Sequence, residues 1–109
     1  MPTTYKVLGQ SNPAATTATT LYTVPSATQA VVSTIVVANL TATAATFRIA
    51  VRIAGATLAN SQYVAYDITV GASDSTTITL GLTLGAADVI TVYASTANLT
   101  FSAFGSEIS

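Results

Sequence analysis

The chain has 109 residues, three basic and four acidic side chains, a formal net charge of −1, and neither cysteine nor histidine. Those absences exclude a disulfide framework and a thiolate nucleophile, and they remove the commonest metal ligand and neutral-pH base. Three positive charges spread along the chain cannot make the electrostatic footprint of a nucleic-acid-binding surface. Half of the residues are hydrophobic and only 6% are charged, so Thr, Ser, Ala and Asn must supply most of the surface. A surface so poor in charge favours association, which predicts a protein that lives in an assembly. A secreted domain with a Thr-rich surface is the other reading of this composition. The length argues for a single domain. The longest apolar run, Ala30 to Leu40, is interrupted by Ser33, Thr34 and Asn39 and falls short of the roughly twenty residues of a membrane helix. The opening Met1 to Lys6 shows no basic region followed by an apolar one, so delivery to a cytoplasm is expected.

In chain order, Thr4 to Leu8 reads as a short strand closed by Gly9. Gln10 to Thr20 begins with Ser11-Asn12-Pro13 and continues as an Ala/Thr run without periodicity, which predicts a loop or surface arm. Leu21 to Val24 is a strand that ends at Pro25, a residue without an N–H for the ladder. Ala30 to Ala38 carries Val31, Ser33, Ile35 and Val37 on one face and Val32, Thr34, Val36 and Ala38 on the other. Apolar residues on both faces suggest a central strand, or one covered by a partner. Asn39 to Ala44 turns the chain into Thr46–Ile53, the most strictly alternating segment. There Phe47, Ile49, Val51 and Ile53 form a core face, and Arg48, Ala50 and Arg52 an outer one.

Gly55 closes that strand, and Ala56 to Ser61 connects onward. Tyr63 to Val70 alternates again, with Val64, Tyr66 and Ile68 on one face and Tyr63, Ala65 and Asp67 on the other. If it pairs with the preceding strand, Tyr63 and Asp67 share the outer face with Arg48 and Arg52. Gly71 to Asp74 is a turn. Ile78, Leu80, Leu82 and Leu84 then alternate with Thr, and Gly81 among them predicts a bulge or a corner between sheets. Gly85 to Asp88 turns the chain into Val89–Ala94, with Ile90 and Val92 inward. Ser95 to Asn98 reads as a hairpin turn, Leu99 to Phe104 as its return strand, and Gly105 to Ser109 as a tail. Both termini, Met1 included, are expected to be tied down by contacts.

Seven or eight short strands at turn spacings of about 8–12 residues, with no helical period, predict an antiparallel β-sandwich or jelly roll. Chemistry is scarce. Asp74 and Asp88 sit in turns, where Asp bonds nearby amides. The carboxylates do not cluster as a calcium site requires, and without His no Ser or Thr has a neutral-pH base. No catalytic, cofactor or metal residue is expected, and the chain does not read as an enzyme. Asn39-Leu40-Thr41 and Asn98-Leu99-Thr100 match the glycosylation sequon, a coincidence to be expected in a Thr-rich chain. The residues that alternation places outward are Arg48, Arg52, Tyr63, Asp67, Tyr93 and Phe104. They are the candidate interface, as ion-pair partners or as aromatic anchors.

The segments Thr4-Tyr5-Lys6-Val7-Leu8-Gly9-Gln10, Leu21-Tyr22-Thr23-Val24-Pro25, Phe47-Arg48-Ile49-Ala50-Val51-Arg52 and Phe104-Gly105-Ser106-Glu107 together resemble a family of small virion structural proteins of tailed phages, especially cyanophages. The resemblance implies a β-rich particle component without enzymatic activity. Its expected role is a capsid cement or decoration subunit forming a homo-oligomer, a trimer, that contacts phage capsid or tail proteins and no nucleic acid or membrane. A tail or baseplate component is the alternative within that class. A carbohydrate-binding module that uses Tyr63, Tyr93 or Phe104 as a stacking platform is the alternative outside it. Few Lys or Pro residues are available to protect sheet edges, so the edges are expected to be covered by neighbouring chains or by the 10–20 arm.

Overall fold

The computed structural model describes residues 2–79 and 81–109. Nine strands run in the order β1 (Thr3–Ser11), β2 (Thr19–Thr23), β3 (Gln29–Asn39), β4 (Ala45–Arg52), β5 (Tyr63–Val70), β6 (Ser75–Ile78), β7 (Leu82–Leu84), β8 (Val89–Ala94) and β9 (Leu99–Ile108). One sheet has the order β1-β9-β3-β6, with β7 also paired to β3, and the other has the order β2-β8-β4-β5. Every strand pair is antiparallel. Strands β6 and β7 occupy one edge of β3 as two pieces, separated around Gly81 at φ +61°. Counted as one position, they leave eight strands interleaved between two sheets. That is jelly-roll connectivity.

The expected all-β sandwich is therefore the fold, and its turns need correcting. Ser95 to Asn98 does not make a hairpin, because β8 and β9 belong to different sheets; the segment carries the chain across the sandwich. The 10–20 arm shrinks to 12–18. Gln10 and Ser11 extend β1 against Ser102 and Phe101, and Thr19 and Thr20 begin β2 against Val92 and Thr91. Thr is β-branched and suits a ladder, so the absence of alternation there hid two strand ends. The loop between them is held by a bridge from Ala15 to Ala94 and by the Asn12 amide donating to the carbonyls of Ala97 and Leu99. The expected tail is the second half of β9, which stays paired to β1 and β3 through Ile108. At its end the Ser109 N–H donates to the Pro2 carbonyl. The expectation for Met1, and the place of Leu80 in its alternating run, lie outside the described residues.

Bulges account for the faces that strict alternation misassigned. In β3 the partners step from Val32↔Gly105 to Thr34↔Phe104, so Ser33 is the extra residue. Ala30 and Val32 point inward before it, and Ile35 and Val37 after it. An extra residue moves every later side chain to the opposite face, which is why this strand showed apolar residues on both. Its central place in the sheet matches the expectation. In β5 the inward residues are Ala65 and Val70, whereas Val64, Tyr66 and Ile68 are exposed. Ile53 was expected in the core and is 72% exposed, because β4 ends at Arg52 and a 3-10 turn takes Ile53–Gly55 out of the sheet.

The core lies between the sheets. Phe47 of β4 and Phe101 of β9 are both fully buried and meet edge to face across the sandwich, with centroids 5.9 Å apart. Ile35, Val37, Ile49, Ile90, Val92 and Leu99 fill the space around them. Asn39 is a buried polar residue at the end of β3. Its amide donates to the carbonyls of Thr43, Val70 and Gly71, and its carbonyl accepts from Thr41. The first of the two sequon asparagines is thus a tie between two loops. Where the sheets converge, Gly9 passes so close to β2 that a Cβ there would stand 2.2 Å from the Leu21 carbonyl oxygen.

Candidate interaction surfaces

Five of the six candidate residues lie on the outer face of the β2-β8-β4-β5 sheet. The register that places them is set in β5. Phe47 pairs with Ile68 and Ile49 with Ala65, so Arg48 is opposed by two residues, Tyr66 and Asp67. Asp67 adopts the left-handed conformation at φ +51°, which Asp tolerates better than most residues. The bulge puts an aromatic ring and a carboxylate on one guanidinium. Arg48 Nε donates to Asp67 Oδ1 at 2.7 Å. Its Cζ lies 4.1 Å from the centroid of Tyr66 and 4.5 Å from that of Tyr93 on β8. Tyr63 stands edge-on to Tyr66, with centroids 5.0 Å apart. The carboxylate of Asp67 is the main cause that holds the Arg48 guanidinium more firmly protonated than usual.

The second arginine has a different role. Arg52 donates to the backbone carbonyls of Ala56 and Gly55 and to the Thr91 hydroxyl, and so pins the 3-10 turn that follows β4. Asp88 anchors the same turn from β8's side: it accepts from the Ala54 N–H and from Gly85 within its own turn. Asp74 likewise accepts from the Ser75 N–H. Phe104 is outward as expected, but on the opposite sheet, where it is 36% exposed. It pairs with Val7 of β1 beside Tyr5, which is 83% exposed, and a shallow groove runs between them and Val31 and Ser33.

Alternation missed two features. Tyr66 was assigned to the face of Val64 and Ile68, away from Arg48, and only the bulge brings it under the guanidinium. The other is a polar link between the sheets. Glu107 of β9 makes a 2.8 Å salt bridge with Lys6 of β1 and accepts the hydroxyl of Tyr22 from β2. Lys6 first, and Tyr22 second, hold the Glu107 carboxyl below the usual range, against an opposing effect of burial. Desolvation, with the adjacent carboxylate adding to it, pushes the Tyr22 phenol far above its ordinary value.

Every Lys, Arg, Asp and Glu side chain is thus bonded within the fold. The outward aromatic rings divide into two kinds. Tyr66 and Tyr93 each have one face against Arg48, whereas Tyr5 and Phe104 face outward on an uncharged strip. Among the described residues, no group of three His, Cys, Asp or Glu side chains is placed to hold a metal ion. No protein-family model matches this chain, and no curated protein sequence matches it.

Proposed function

We propose that this chain is a non-enzymatic structural subunit of a phage particle, a cement or decoration protein that self-associates and contacts the capsid lattice. The observation that carries the reading is the distribution of charge and apolar surface. Every ionic side chain is bonded within the protomer, Lys6 to Glu107 and Arg48 to Asp67 as ion pairs and Arg52, Asp74 and Asp88 to neutral groups, while Tyr5, Val7 and Phe104 are exposed together on an outer sheet face. A partner meeting that strip finds Thr and Ser hydroxyls, apolar side chains and, as its one ion, Lys6 already paired with Glu107, a composition suited to permanent contact.

The segments that carry the resemblance to phage virion proteins fall in β1, β2, β4 and β9 and so contribute to both sheets. Jelly rolls serve in viral capsids and in lectins, and the fold by itself does not choose between them. The glycan-binding alternative has less support. Of the three rings it would use, Tyr93 has one face against the Arg48 guanidinium and Tyr63 stands edge-on to Tyr66, so only Phe104 offers an unoccupied ring, and a single ring is a small platform.

Immunogold labelling of intact particles of the virus that encodes this chain tests the reading. Label spread over the head is the expected result. Label confined to the tail would move the subunit to the tail or baseplate, and particles without this chain in their protein content would overturn the proposal.

A further inference from the structure

We infer that the free edge of β1 is a self-association site, at which Thr3–Val7 pairs antiparallel with the same residues of a second copy about a two-fold axis at Tyr5. The inference deepens the self-association in the proposed function and rests on that reading for its biological setting.

The sandwich has four edge positions, and they differ in how they are protected. The β6/β7 edge is split into pieces of four and three residues. β2 has five residues and a register shift at Leu21. The β5 edge carries two register shifts and the charged, left-handed Asp67. Short strands, bulges and charges are the devices that stop an edge from recruiting another strand. β1 has nine residues, and its only irregularity is the shift at Leu8. Its one charge, Lys6, is turned to Glu107 on the core side. From Thr3 to Val7 it is therefore a regular, exposed strand whose outward N–H and C=O groups fit one kind of partner, another extended strand.

Parity and charge select the register and the occupant. In a two-fold antiparallel pair, opposed residues must share a face, so the axis passes through a residue and not between two. An axis at Lys6 would oppose two like charges and draw Leu8 of the bulge into the ladder. An axis at Tyr5 places Tyr5 opposite Tyr5, Thr3 opposite Val7 and Thr4 opposite Lys6, and uses the whole regular stretch. The Tyr5 ring, 83% exposed in the protomer, then gains an aromatic cross-strand neighbour. The two Tyr5–Val7–Phe104 strips become one strip on a continuous sheet. With each Lys6 matched by its own Glu107, and a net charge of −1 per chain, little repulsion opposes the approach.

Sedimentation equilibrium of the full chain, from about 1 to 500 µM to span the weak affinity of so small an interface, tests the pairing. A monomer–dimer equilibrium is expected, with the dissociation constant raised about tenfold or more by Tyr5→Lys, which opposes two charges across the axis. A monomer throughout the range, or a trimer without dimers, overturns the pairing. Because the chain has no cysteine, a Tyr5→Cys variant can form a disulfide only between copies, and residues opposed across an antiparallel pair lie within disulfide reach. Under mild oxidation it is expected to cross-link far faster than Val64→Cys, which lies on the other sheet. Equal rates would overturn the placement of the axis. Both experiments use the chain alone: a monomer throughout would also remove self-association from the proposed function, whereas the place on the particle is tested separately by the labelling.

Discussion

The hydroxyl of Tyr22 donates to the carboxylate of Glu107 and so joins β2 of one sheet to β9 of the other. The folded-state pKa of Tyr22 is raised by desolvation and by that carboxylate. A raised pKa stabilises the fold below the unfolded value, near 10 for tyrosine, and the contribution is lost as pH climbs beyond it. Tyr22→Phe is expected to cost about 1–2 kcal/mol at pH 7, where a hydrogen bond to a charged group is lost. It is also expected to flatten the fall in stability above pH 10. Urea denaturation midpoints between pH 7 and 11 measure both effects.

The acid side has the opposite sign. Glu107 is held below its ordinary value by Lys6 and Tyr22. Its contribution is present above the unfolded carboxyl pKa and is lost as pH falls through the lower folded value. Glu107→Gln is expected to destabilise by about 1 kcal/mol at pH 7, since Lys6 is partly exposed and the pair is screened. The difference between variant and parent in the urea midpoint should shrink as pH falls below the unfolded carboxyl value and Glu107 takes up its proton. A difference that does not change with pH would mean that the Gln disturbs packing and not charge.

Arg48 and Asp67 form an exposed ion pair, and the favourable coupling between them is expected to be small and sensitive to salt. A double-mutant cycle of Arg48→Ala and Asp67→Ala in dilute buffer and in about 0.5 M salt checks this, with the coupling shrinking as the Debye length falls. The ring contacts of Arg48 predict a second effect. Arg48→Ala should alter the near-ultraviolet circular dichroism of the tyrosines, and Asp67→Ala should alter it less.

Gly105 lies so close to β3 that an added Cβ would stand 2.0 Å from the Val31 carbonyl oxygen. Backbone cannot give way there as a side-chain tip would. Gly105→Ala is expected to cost about 3 kcal/mol or more, by forcing β9 away from β3. Gly85→Ala, whose nearest neighbour would be an Asp88 oxygen at 3.8 Å, serves as the mild comparison. Thermal unfolding of the two variants side by side measures the contrast.

Asn39 satisfies carbonyls of Thr43, Val70 and Gly71 with one buried amide. Replacing it by Ala leaves those oxygens short of donors, and a loss of about 2–3 kcal/mol is expected. Hydrogen exchange should quicken first in residues 40–44 and 71–74, the two loops that it ties.

Strand bounds were legible in the sequence wherever turn residues flank a β-rich run, and inward faces were legible where one period runs unbroken. Tyr63–Val70 and Val89–Ala94 have the bounds expected of them, and Phe47, Ile49, Ile90 and Val92 are the inward residues expected of theirs. The pairing of Arg48 with Asp67 was legible for the same reason. What alternation could not supply was the extra residue at Ser33 or near Asp67, because a bulge is fixed by the partner strand and by a local backbone twist. It leaves no mark in the hydrophobic pattern except apolar residues on both faces. The Tyr22–Glu107 link was hidden by distance, since its residues are brought together only by the interleaving of the sheets.

That interleaving also sets an order of events during synthesis. β9 lies between β1 and β3 and is the last of the nine strands to leave the ribosome. Until it emerges, β1 has no partner in its sheet and one side of β3 is bare. Half of the Phe47–Phe101 contact is also missing. The sandwich therefore cannot close before β9 has been made. A nascent chain stalled before Leu99 holds the hydrophobic strands of an unfinished sheet, and closure of the longest loops comes in the final step. In a cell making many copies at once, the interval between the appearance of β3 and the arrival of β9 is when the chain is most exposed to pairing with the wrong neighbour.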